Sequence, residues 1–286
     1  MTPAPPAEIP VIRRSRGSEW AAMAALFGLT VRQHTHGRRM IVLILLYLLP
    51  CGLAILLRSL PKPAPNDALE FALIFNLLPH ALAPLTALLY AAGVIQDEIE
   101  EQTLTYLLMR SVPRWAIYAV KLAATVCVST ALVALATAAL YAAVYAGTPE
   151  FTTIILAERL PRVLAIMALA QFGYCAVFGF IGLAARRSLI VGLIFIVLIE
   201  GVLANLDFVL RAATIVHYVR TLIVRWLDLP VDTLSRMLRD WHLDLDTLPT
   251  TPEAVRRLVF TGLIGTALAA WWFARREFRV KTPEGS

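Results

Sequence analysis

The apolar residues of this chain are gathered into long runs broken by short clusters of charge, and that blocking restricts what the chain can fold into. The first run, 40–57 (MIVLILLYLLPCGLAILL), rises about 27 Å as a helix, close to one hydrocarbon thickness. Further runs at 71–95, 122–146, 163–185, 189–205 and 258–274 repeat the pattern. Hydrocarbon offers no partner to a backbone N–H or C=O, so each span must satisfy its own as a helix. The sequence therefore predicts an all-α integral membrane protein with six transmembrane helices. With 16% charged residues against 59% hydrophobic, there is too little charge to coat a soluble surface.

The net charge of +6 does not point to nucleic acid, because the cations flank apolar runs and read as topology determinants. Arg13, Arg14, Arg16, Arg32, Arg38 and Arg39 precede the first span. Arg186 and Arg187 separate the fourth and fifth, and Arg275, Arg276, Arg279 and Lys281 close the chain. An even number of spans then places both termini in the cytoplasm of a cell whose cytoplasmic membrane holds the chain. Residues 1–16 are Pro-rich and basic, without the apolar core of a cleavable signal, and read as a disordered arm. Residues 17–39 carry Trp20, Met23, Phe27 and Val31 at helical spacing, which suggests an interfacial helix with that face toward acyl chains. The six-span domain is expected over 40–278, and a cytoplasmic tail over 279–286.

Residues 206–229 are apolar enough to suggest a seventh span, but Arg211, Arg220 and Arg225 argue against it. A centrally placed Arg costs about 2.5–3.5 kcal/mol on insertion. The stretch 206–257 is expected instead to be a partly helical external connection, with Leu234, Leu238 and Trp241 sharing one face. At Thr251-Pro252-Glu253, a threonine cap, an early proline and an acid suit the start of the last helix.

Between the second and third spans lies 97–121, DEIEEQTLTYLLMRSVPRWAIYAVK. Asp97, Glu98, Glu100 and Glu101 crowd five positions, Leu104, Leu107 and Leu108 form an apolar ridge, and Pro113-Arg114 opens the next helix. Acids do nothing for anchoring to an anionic leaflet, so this hairpin reads as a docking surface for a soluble protein, or as a solvated turn.

The hairpin resembles the membrane subunits of ABC type-2 exporters, whose second span is followed by a pattern close to E-x-E-x-G-T-L-x-x-L-L, then Pro, Arg and Lys. Glu98 and Glu100 match the acids, Thr103-Leu104 and Leu107-Leu108 the residues after them, and Arg114 and Lys121 the closing cations. Gln102 replaces the usual glycine, and Ser111 a common proline. The resemblance implies a coupling element that seats on a separate ABC ATPase subunit, with Glu98, Glu100, Glu101, Thr103, Leu104, Leu107 and Arg114 as contacts. It also implies a second membrane subunit, either another copy or a homologous permease, and outward transport. ATP would be bound by the partner, since Lys62, Lys121 and Lys281 are the only lysines and none follows a G-x-x-x-x-G pair.

Asn76 and His80 fall on one face of the second span beside Pro79 and Pro84, and Glu200 ends the fifth. Polar residues within spans mark a transport path or hold helices together, and both readings stay open here. His34 and His36, two apart, and His217 and His242 lack ligand spacing, so no metal or other cofactor is expected. Ala131, Ala134, Ala138 and Ala142, with Gly179 and Gly182, are expected at close helix contacts. An intramembrane protease would need Glu-Glu followed closely by Arg, whereas Arg110 lies nine positions after Glu101. A non-transporting scaffold subunit shares the hydropathy but leaves the acidic hairpin without a nucleotide-driven partner.

Overall fold

The computed structural model describes residues 16–100, 112–149, 151–205 and 209–276. Among these, no strand occurs, and six helices are long and apolar enough to cross a membrane. A lead helix α1 (Arg16–His36) turns at Gly37 into the first, α2 (Arg38–Ser59). The others are α3 (Asn66–Ile99), α4 (Arg114–Tyr145), α5 (Ile155–Ala184), α6 (Ser188–Asn205) and α9 (Thr251–Arg275). Two shorter helices, α7 (Ile215–Trp226) and α8 (Val231–Asp240), lie between α6 and α9.

The predicted runs match these helices, which overshoot them because polar ends project beyond an apolar centre. In α3 the overshoot is large, and its stretch Glu70–Leu82 is wound as a π-helix around Pro79. Wider winding accommodates a ring that cannot donate to the preceding turn. The last helix begins at Thr251 with Pro252 in its first turn, so the cap position falls on Thr250 rather than the expected Thr251, and Thr250 makes no side-chain capping bond.

The spans alternate in direction, which gives the bundle two distinct ends. At the elbow end, Arg39 of α2 meets Asp97 of α3, Glu98 meets Lys121 of α4, and Arg276 donates to the Leu183 carbonyl of α5. At the opposite end, Arg58 of α2 donates to the carbonyls of Ala143 and Ala146, 2.8 Å each, which closes α2 onto the end of α4. There Glu70 is buried and accepts from Tyr145 (2.6 Å), Tyr141 (3.1 Å) and Arg159 (2.8 Å), tying α3, α4 and α5 together.

α5 is the hub, packed by α3, α4, α6, α7 and α9. Gly182 lies against the backbone of Ala92, where any side chain would push α3 and α5 apart, and Gly179 lies under Tyr118. Those two glycines meet the small-residue expectation, but the alanine stripe does not. Ala131 is exposed, and Ala134, Ala138 and Ala142 are half-buried. The packed face of α4 instead runs through Thr125, Ser129, Val133, Ala136 and Leu140. Polar hydroxyls can occupy it because each turns back onto its own helix, as Thr125 does to Lys121 and Thr137 to Val133.

The face of α1 that docks on α4 carries Leu26, Thr30 and His34, with Leu26 in a cluster formed by Val112, Ala116 and Ile117. It lies one column round the helix from the Trp20, Met23, Phe27 and Val31 stripe, and Trp20 stays 73% exposed.

Candidate functional site

Two ion pairs at the elbow end hold the two ends of the 97–121 segment. Arg39 grips Asp97 with both guanidinium nitrogens, at 2.7 and 2.8 Å. Gly93 makes room for this, since a Cβ there would overlap Arg39 and both Asp97 oxygens. Gly93→Val should therefore separate α2 from the end of α3. Cross-linking of cysteines placed at Arg38 and Gln96 would report it as a severalfold drop in yield.

The second pair joins Lys121 Nζ to Glu98 Oε1 at 2.6 Å, with both side chains at least nine-tenths buried. A cavity of about 460 Å³ lies among these groups, lined by His34, Arg38, Tyr90, Gly93 and Lys121 among others. His34 bonds Thr125, 2.9 Å away, and stands edge-on to Tyr90. Thr125 gives its only hydroxyl proton to the Lys121 carbonyl, so His34 must donate to it. Burial, then the charges of Lys121 and Arg39, hold His34 neutral by lowering its pKa to about 4, against a smaller opposing effect of Asp97. An undocked His34 would take a proton near its ordinary 6.5 and the docked one only near 4. Docking of α1 is thus fully stabilised above 6.5 and weakens as pH falls from 6.5 toward 4. Hydrogen exchange of α1, corrected for intrinsic rates, should show faster opening at pH 5 than at pH 7.5, and His34→Asn should flatten that difference.

Of the residues assigned to partner contact, Arg114 is exposed at the start of α4. Glu98 faces inward onto Lys121. Glu100 is helical, while Glu101, Thr103, Leu104 and Leu107 lie outside the described residues.

At the opposite end, the connection after α6 does not stay outside the bundle. Every residue of α7 from Ile215 to Val224 is buried, and the helix packs on α5, α9 and the π-helical part of α3. Ile215 sits by Gly173, midway along α5, whereas Arg162 near the start of α5 bonds the Trp226 carbonyl and Asp228. The chain therefore turns at the level of Gly173 and returns beside α5, within the bundle rather than on its surface. α8 keeps the expected amphipathic face, with Met237 and Trp241 buried and Leu234 and Leu238 partly so.

Glu200 makes that turn possible. Its carboxylate accepts from the backbone N–H groups of Ile215 (3.0 Å) and Val216 (2.8 Å) and from the Tyr174 hydroxyl (3.2 Å). Two otherwise orphaned donors at the start of α7 are thereby satisfied from another helix.

Asn76 and His80 meet the far side of α7. Arg220 Nε donates to His80 Nε2 at 2.8 Å, so the His80 proton sits on Nδ1, which donates to the Asn76 carbonyl at 2.7 Å. Arg220 also donates to Asn205 Oδ1 (2.8 Å) and the Ala204 carbonyl (3.3 Å), and its guanidinium lies 5.4 Å from the Trp241 ring centre. Trp241 donates to Asn76 Oδ1 at 2.9 Å. The three residues assigned to a path thus gather around α7, Asn76 and His80 in the wall of a cleft and Glu200 behind it. Sequence reasoning missed Arg220 and Trp241 as members of this cluster. The cost of inserting Arg220, used to argue against a span, was itself the signal.

Among the described residues no group of three or more His, Cys, Asp or Glu is placed to hold a metal ion. A family described as ABC-2 family transporter protein matches residues 34–202, more than half of the chain. A comparison with curated proteins finds no match.

Proposed function

Because the chain belongs to the ABC-2 transporter family, we propose that it is the membrane subunit of an exporter driven by ATP hydrolysed in a separate subunit. It would act in the cytoplasmic membrane with both termini inside, paired with a second copy or a homologous permease. The elbow end would then face the cytoplasm, with α1 in the interface and Trp20 toward lipid and headgroups.

The observation that supports this reading best is the pair of charge contacts at the base of the acidic hairpin. Arg39–Asp97 and Glu98–Lys121 fasten α2, the end of α3 and the start of α4 to one another. A push from an ATPase on 97–121 would thus reach three spans together rather than be absorbed by a loose loop. Glu100, Glu101, Thr103, Leu104, Leu107 and Arg114 form the contact in this reading, and Glu98 sets the pose of the hairpin from within.

Charge reversal separates contact from fold. Glu100→Lys should lose stimulation of the partner's ATPase and weaken assembly at least tenfold, while the chain keeps its thermal stability. Unaltered assembly and stimulation in Glu100→Lys and Arg114→Glu would remove the hairpin from the interface.

A further inference from the structure

Among the described residues, Arg220 is a buried arginine that no carboxylate within 4.0 Å neutralises. It is 3% exposed, yet it lines an open cleft of about 520 Å³ whose walls include Phe71, Asn76, Leu77, Asn205 and Trp241. Glu200 lies near enough for its field to reach Arg220, but its oxygens are committed to Ile215, Val216 and Tyr174. The Arg220 guanidinium is charged at neutral pH.

Apart from the Asp240 carboxylate at its rim, the free side-chain hydrogen-bonding capacity of this cleft is mainly that of donors. Of the five N–H groups of Arg220, one meets His80, one Asn205 and one Ala204, which leaves one on each terminal nitrogen. The Trp241 donor fixes the Asn76 amide with Oδ1 toward the indole, so its NH₂ group contributes two more uncommitted donors. His80 offers nothing further, since both ring nitrogens are engaged. Asp240, exposed at the rim, is the acidic side chain in the lining.

We propose that this cleft binds an anionic oxygen group, phosphate or carboxylate, carried on an amphipathic molecule. Arg220 and Asn76 hold the oxygens, while Phe71, Leu77 and Trp241 cover the apolar body. A fixed guanidinium with one free N–H on each terminal nitrogen can meet such a group, and burial strengthens the contact. Asp240 opposes the anion from the rim. The proposal names the ligand class for the path residues of the transport reading and rests on that reading only for the ligand's being carried. Glu200 acts here as a positioning residue, because it holds the start of the helix that presents Arg220.

Binding is measured on the full chain in detergent, without nucleotide or ATPase, so it stands or falls separately from the coupling claim. The probes are dihexanoyl phosphatidic acid, dihexanoylglycerol and inorganic phosphate. The phosphatidic acid should bind saturably and the diglyceride should not. Arg220→Gln, checked for an unchanged melting curve, should weaken the phosphatidic acid by about 10–100-fold. Asp240→Asn, at an exposed position that should not affect folding, should tighten it by about threefold. Competition by inorganic phosphate at similar concentration would overturn the amphipathic carrier in favour of a soluble anion; lack of competition supports the amphiphile. Equal binding of phosphatidic acid and diglyceride overturns the proposal. So does anion affinity that Asp240→Asn leaves unaltered, whether or not the Arg220 variant folds.

Discussion

Glu98→Leu should destabilise the chain by about 3–5 kcal/mol, the cost of stranding one member of a buried ion pair. Lys121 is 3% exposed, and its ammonium has Glu98 as its ion-pair partner at 2.6 Å. With the carboxylate gone, the ammonium must stay buried without its counter-charge or pull α4 out of register to reach water. Replacing both members with apolar residues removes the stranded charge as well as the pair. Glu98→Leu/Lys121→Met should therefore recover most of the loss, which thermal melting of the detergent-solubilised variants would show. Function should separate from stability here. The double variant folds but has lost the tie between α3 and α4, so its coupling to ATP hydrolysis should remain poor. If the double variant is as unstable as the single, the pair is not what organises this end of the bundle.

Glu200→Leu should be of comparable severity at the other end. It leaves the N–H groups of Ile215 and Val216 and the Tyr174 hydroxyl without their acceptor, at about 1–3 kcal/mol for each buried donor. α7 is a twelve-residue helix, short enough that its start depends on these bonds. The expected result is fast hydrogen exchange through 215–226, a lower melting temperature, and loss of any binding that needs Arg220. Glu200→Gln keeps one acceptor oxygen and should fall between wild type and Leu. Slow exchange through α7 in Glu200→Leu would show that packing on α5 and α9 suffices to hold it.

The spans could be read from the sequence because the bilayer fixes both their length and their apolarity, and those properties are local. The path of α7 could not. A twelve-residue stretch with two arginines looks the same whether it lies on a surface or turns back into the bundle. What decides is that Arg220 finds His80, 140 residues earlier, and that Glu200 finds the helix start. Long-range partners also explain the elbow end. Glu98 reads as one of a row of surface acids, and its burial depends on Lys121, 23 positions on. For α1, apolar spacing drew attention to Trp20, Met23, Phe27 and Val31, whereas the docked face includes Thr30 and His34. Polar residues could be buried there because Thr30 bonds back to Leu26 and His34 reaches Thr125.

A separate ATPase is expected to engage 97–121. Affinity purification of the solubilised chain from its native cells, followed by mass spectrometry, tests that most directly. A P-loop ATPase should co-purify and be lost from Glu100→Lys and Arg114→Glu variants that remain folded. Repeated recovery without any ATPase, under conditions that keep other membrane complexes intact, would contradict the account.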